Sequence, residues 1–247
     1  MAARAKRVSS SELELSMIFV PVWDLNPLKA VKFQYVTVSI IALNVIIYFV
    51  FESDLIFHSK AGFVDMLSVK PRDVVPLDSF LRHAPEQYRL VTYMFVHGSV
   101  LHLVMNMIFL FVFGDNVEDA MGHLRFILFY LVCGASAALV YSAITDTRDV
   151  PLIGASGAIS GVIGAYLMLH PNIRVWVLFP KLPFLPLRFP AGFVIGTWIV
   201  YQIGAAIYFP NGGTAWWAHV GGFFTGALLV TVLKRPGFRL FDAATGV

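Results

Sequence analysis

The sequence predicts an all-α membrane protein of six transmembrane helices, with a large and partly membrane-embedded first outer loop. Three observations predict it. Hydrophobic residues fill 58% of the 247 positions and charged residues only 13%, against about 25% charged in a soluble domain. Mean hydropathy is +0.75. Apolar runs recur at about 35–51, 101–113, 124–144, 155–170, 190–209 and 215–233, and the 15 acidic residues fall outside those runs or at their ends. A chain built this way has lipid as its main solvent, and its net charge of +3 bears on orientation rather than on nucleic-acid binding. Cys133 is the single cysteine, so neither an intrachain disulfide nor a cysteine-based metal site is expected; no metal or cofactor is called for.

Residues 1–33 read as an N-terminal cytoplasmic segment in which Pro21 and Pro27 argue against one long helix. The first eleven residues have some of the Arg and Ser content of an organellar transit peptide, but Glu12 and Glu14 follow at once. No apolar core with a small-residue cleavage site is present, so no removable signal peptide is expected. The first span, Tyr35 to Phe51, then reads as an uncleaved signal anchor. The connection over about 52–100 interleaves Phe57, Phe63, Leu67, Phe80 and Leu81 with Lys60, Lys70, Arg72, Arg82 and Arg89. Unstructured loops of that length are uncommon, and apolar residues among basic ones suit an interfacial element. With the N-terminus inside, the inner segments carry Arg4, Lys6, Arg7, Lys29, Lys32, Arg125, Arg174, Lys181, Arg188, Lys234, Arg235 and Arg239. That bias places both termini on the cytoplasmic side. Residues 34–235 form the helical domain, Leu182–Pro190 a proline-rich inner linker and 236–247 a cytoplasmic tail.

Polar groups inside spans are costly and therefore informative. Four stand out: His102, Asn106, Ser156 and His219. His102 and Asn106 are four apart on one helix face. Ser156 opens the fourth span within Gly154-Ala155-Ser156-Gly157, and Gly157, Gly161 and Gly164 form a stripe of small residues down that helix. Ala218, Gly222 and Gly226 form a second stripe beside His219. Such stripes let helix backbones approach closely. A serine within reach of a histidine is the pairing an activated nucleophile needs. The fourth span is short, about 16 residues or ~24 Å, so its start should lie below the outer surface of a ~30 Å core. The unpaired N–H groups of that helix start, with Asn106 and His102, could stabilise an oxyanion. No aspartate lies within the predicted spans, and no His-Glu-x-x-His motif occurs, which excludes aspartyl and common zinc proteases.

The chain resembles the rhomboid intramembrane serine proteases of the six-span bacterial type over roughly residues 20–235. The resemblance rests on Gly154-Ala155-Ser156-Gly157, on His97 and His102-x-x-x-Asn106, and on Ala218-His219 with Gly222 and Gly226; the stretch from Tyr93 to Gly114 with Glu118 is similar as well. It implies Ser156 as nucleophile, His219 as general base, and His102, Asn106 and the Ser156 N–H as the oxyanion hole. It also implies membrane-protein substrates, a plasma-membrane location in a bacterium with the site opening outward, and gating by the fifth span with the loop 210–214. Two positions depart from the family pattern. Tyr88 stands where a tryptophan precedes Arg89, and Ser160 stands where some members place a tyrosine that stacks on the histidine. No carboxylate is placed to orient His219, so a serine hydrolase here would use a dyad and the orientation of the imidazole must come from elsewhere. Plainer readings compete at each position. A buried serine usually bonds a carbonyl one turn back, and Asn106 could be interhelical glue. His97 reads as a structural hydrogen-bonding residue, His58, His83, His123 and His170 as interfacial residues, and Trp198, Trp216 and Trp217 as lipid-facing or belt residues. A non-catalytic membrane-protein binder and a small transporter remain alternatives to a protease, and oligomeric state is not legible.

Overall fold

The computed structural model of the chain describes residues 19–52, 59–179, 182–210 and 212–242. The basic and acidic residues of segment 1–18, His58 and Lys181 lie outside them. Among the described residues, five helices are long and apolar enough to cross a membrane: α1 Tyr35–Glu52, α6 Val100–Met121, α7 His123–Ile144, α9 Ala191–Tyr208 and α10 Trp216–Leu233. A sixth apolar helix, α8 Ser156–Leu169, is shorter. Between α1 and α6 the outer loop folds into α2 Lys60–Leu67, α3 Pro71–Val74, α4 Leu77–Arg82 and α5 Arg89–Thr92, followed by a 3-10 turn at Tyr93–Phe95. The loop is tied to the α7–α8 connection by a Val69–Leu152 bridge and by Arg72 N–H donating to Arg148 O. Within it Arg89 pairs with Glu86 at 2.7 Å and with Asp73 at 3.5 Å.

The second span is longer than the sequence suggests. Helix α6 runs through Asp115, Glu118 and Asp119, and the last two are buried. Polar residues close to a span end read as a loop, but here distant donors offset the cost of burying them. Glu118 accepts from Val36 N–H at 3.0 Å, Thr37 N–H at 2.7 Å, Thr37 Oγ1 at 2.7 Å and His123 Nδ1 at 2.5 Å. It thereby caps the start of α1, where the helix dipole favours a negative charge. Asp119 accepts from the backbone of Lys29, Ala30 and Val31. Glu118→Ala strands several of these donors, so we expect a loss of about 3 kcal/mol or more, read as a lower melting midpoint in detergent.

The segment Leu182–Pro190 is not a plain linker. Strands β1 Val20–Asp24, β2 Arg174–Phe179 and β3 Leu182–Pro190 form an antiparallel sheet in the order β1-β2-β3. Trp23 faces Trp176, which faces Arg188, and the Arg188 guanidinium lies 5.6 Å from the Trp176 ring centroid. The prolines are tolerated because β1 and β3 are both edge strands. Asp24 at the end of β1 accepts from Tyr166 Oη at 2.6 Å, and burial raises its pKa to about 6. Since an unfolded aspartate titrates near 4, the folded state holds the extra proton, and stability falls as pH rises from about 4 to 6. Asp24→Asn keeps the acceptor without the charge. It should stabilise the fold at pH 7 by up to about 3 kcal/mol, read as a higher melting midpoint, with the gain vanishing near pH 4.

The sheet, the α6–α7 turn at Gly122 and the C-terminal segment share one end of the bundle: Arg235 N–H donates to Ala120 O, and Phe241 N–H to Met168 O. The outer loop, the start of α8 and the start of α10 share the other. Helices α8 and α10 are in backbone contact. A Cβ at Gly222 would sit 1.9 Å from Gly157 O, one at Gly226 2.0 Å from Gly161 O, and one at Gly164 2.2 Å from Phe223 O. Both predicted glycine stripes therefore meet each other. Close backbone approach of this kind is what small residues supply between membrane helices.

Candidate active site

The approach to α8 is fixed before the helix begins. Gly154 adopts φ +107, a conformation that favours glycine, and its N–H donates to Tyr93 O at 2.9 Å. A Cβ there would lie 2.6 Å from His102 Cε1 and 2.7 Å from His102 Nε2. Glycine thus lets the chain pass directly over that imidazole. Tyr93 also donates its hydroxyl to Gly134 O at 2.8 Å, which locks the 3-10 turn against α7. The first bond of α8 runs from Ile159 N–H to Ala155 O. The N–H groups of Ser156, Gly157 and Ala158 consequently have no acceptor within the helix.

Helix α10 brings His219 to this helix start. Its Nε2 lies 2.9 Å from Ser156 Oγ, and both residues are only partly buried. Asn106, one turn along α6 from His102, is 6% exposed, and its amide nitrogen has no hydrogen-bond acceptor among the described residues. That nitrogen is 3.7 Å from the Cβ position of Gly154. Two side chains with N–H donors therefore lie beside Gly154, at the open end of the helix that carries the serine. All four polar residues singled out from the sequence are brought together. His97 is buried and packs edge-on against His102, with ring centroids 5.1 Å apart. Ser160 bonds back to Ser156 O at 2.7 Å, the local bond expected of a helical serine.

Helix α9 supplies contacts the sequence reading missed. Gln202 Oε1 lies 2.7 Å from His219 Nδ1, a contact to the imidazole that the sequence reading did not locate. Trp198 and Trp216, expected in lipid, are 7% and 5% exposed. They face the imidazole instead: Trp198 stacks on it with centroids 6.2 Å apart and planes at 27°, and Trp216 meets it edge-on at 6.2 Å and 89°. The indole of Trp198 thus gives the imidazole a stacked ring that Ser160 cannot provide. The available signal was Gln202 itself, an amide within a span, with Trp198 one turn earlier on the same face. Among the described histidines, His123 and His170 are not plain interfacial residues either. His123 bonds Glu118, and His170 is buried against Tyr166. His83 sits in the outer loop, its Nδ1 2.9 Å from Ser79 O.

The fold and this arrangement define a multi-pass membrane protein with a hydrogen-bonded Ser–His pair at the mouth of a short central helix. Residues 84–236 match the family model described as the Rhomboid domain. The chain is 31% identical over 169 residues to "RHOMBOID-like protein 5" of Arabidopsis thaliana, a match covering 68% of this chain and 51% of that protein. It is 34% identical over 148 residues to "RHOMBOID-like protein 6, mitochondrial" of the same plant, covering 60% and 44%. A shorter match, 34% over 84 residues and covering 34% and 42%, is to "Putative rhomboid protease YdcA" of Bacillus subtilis (strain 168). The chain belongs to the rhomboid family. It spans about half the length of the plant relatives it matches.

Proposed function

We propose that this chain is an intramembrane serine endopeptidase that cuts membrane-protein substrates in or near the outer end of a transmembrane segment. The observation that carries the reading is the 2.9 Å contact between Ser156 Oγ and His219 Nε2 at the N-terminus of a helix of 14 residues. Such a helix is only ~21 Å long and leaves the serine below the surface of a ~30 Å core.

In this mechanism His219 Nε2 takes the proton as Ser156 Oγ attacks the scissile carbonyl carbon. The oxyanion is held by the Ser156 N–H, the Asn106 amide and His102. The C–N bond breaks as the imidazolium returns its proton to the leaving amine. A water, deprotonated by the same imidazole, then attacks the acyl-enzyme; the C–Oγ bond breaks, Ser156 recovers its proton and the new carboxyl end is released. Helix α9 with the loop 210–214 would gate lateral access from lipid. The Lys and Arg bias supports both termini on the cytoplasmic side, so in a bacterial plasma membrane the dyad opens outward.

Purified protein in liposomes, given a single-span substrate bearing small, helix-breaking residues near its outer end, should release two fragments whose new termini map to that end. Intact substrate after prolonged incubation contradicts the reading and favours a non-catalytic binder.

A further inference from the structure

We propose that Gln202 is the positioning residue that holds His219 in the tautomer and orientation a general base needs. This rests on the protease reading of Ser156 and His219. For His219 Nε2 to accept the serine proton, the ring must carry its own proton on Nδ1. That N–H then needs an acceptor, and the Gln202 carbonyl oxygen lies 2.7 Å away. The reverse pairing, in which the amide nitrogen donates to Nδ1, would put the ring proton on Nε2 and leave the serine with no base.

Gln202 is 1% exposed in an apolar helix, where an unpaired amide is costly. The other small polar side chain of α9 behaves differently: Thr197 Oγ1 bonds carbonyls of its own helix, those of Phe193 and Val194. Gln202 reaches across to another helix instead. Trp198, one turn before it, stacks on the same ring, so α9 fixes the imidazole both along its edge and on its face. The residues facing His219 are His102 from α6, Ser156 from α8, Gln202 and Trp198 from α9, and Trp216 from α10. Among the described residues no carboxylate or cationic side chain bonds the ring. A neutral amide does the orienting that a carboxylate does in a triad, without placing a charge in the apolar span. Because α9 holds this bond, the base is set only while α9 is seated against α10.

The test measures kcat and KM for the full chain on a single-span substrate, with melting midpoints, for Gln202→Leu, Gln202→Met and Gln202→Glu. Leu and Met remove the acceptor while filling the space. They should lower kcat by about tenfold or more, leaving KM within about twofold and the melting midpoint little changed. Glu keeps an acceptor oxygen in either ionisation state and should retain kcat within about threefold of wild type. Wild-type kcat in Leu and Met overturns the proposal. So does a Glu variant as impaired as Leu while melting like wild type. If Leu fails to fold, the comparison of Met with Glu decides on the same terms. A wild-type chain that cleaves nothing overturns both this proposal and the protease reading; active wild type with unaffected Gln202 variants overturns this one alone.

Discussion

We expect Ser156→Ala and His219→Ala each to lower substrate cleavage by about 10⁴-fold or more, and the double variant to lose no more than either alone. Groups that act as a unit behave this way, because the base has no task without the nucleophile and the nucleophile is inert without the base. Neither change should unfold the protein. Ser156 makes its side-chain contact to His219, while the backbone around it is held by Gly154 N–H on Tyr93 O and by the glycine contacts of α8 with α10. A quantitative cleavage assay with melting midpoints measured in parallel checks both halves. Asn106→Ala is expected to be milder. It removes one of several donors around the oxyanion position, which elsewhere is worth about 10²–10³ in kcat.

Gly226→Val and Gly222→Val have effects as large but of another kind. The new Cβ at 226 would lie 2.0 Å from Gly161 O, and that at 222 would lie 1.9 Å from Gly157 O. The obstacle in each case is backbone, which cannot rotate aside, so α8 and α10 must part. Overpacking in a close-packed interior typically costs 1–3 kcal/mol and occasionally more; with two helix backbones as the obstacle we expect about 3 kcal/mol or more. Gly222 lies on the same helix as His219, and Gly157 next to Ser156. Any fraction that still folds should therefore have a wider Ser–His separation and little activity. Gly196→Ala is the control: nothing lies within 4 Å of its Cβ position, so the change should be neutral or slightly stabilising by helix propensity. Melting midpoints and cleavage rates for the set separate the two mechanisms, since Ser156→Ala spoils chemistry alone and Gly226→Val spoils both.

The features legible in the sequence are those carried by local spacing. The glycines at 157, 161 and 164 and at 222 and 226 announced close helix contact, and the structure puts those two stripes together. Ser156, His219, His102 and Asn106 declared themselves as polar groups in apolar runs, and they converge. What escaped depends on partners far away in the chain. Strand β1 pairs with β2 across more than a hundred residues, so neither the proline-rich segment nor residues 20–24 could announce a sheet alone. Glu118 and Asp119 looked like a loop because their charge is offset by backbone donors at 36–37 and 29–31. Trp198 looked like a lipid-facing residue because an indole on a span carries no mark of which side it faces. Gln202 differs from these, since an amide within a span is the same kind of signal that identified Asn106.

Fluorophosphonate labelling tests the proposed chemistry most directly, because the reagent reports an activated serine without needing a substrate. The purified wild-type chain should take up one label at neutral pH, located by peptide mass spectrometry on Ser156. Ser156→Ala should take up none, and His219→Ala should label far more slowly. Absence of labelling in a folded wild-type chain, or equal labelling of Ser156→Ala, would contradict a Ser156–His219 nucleophile.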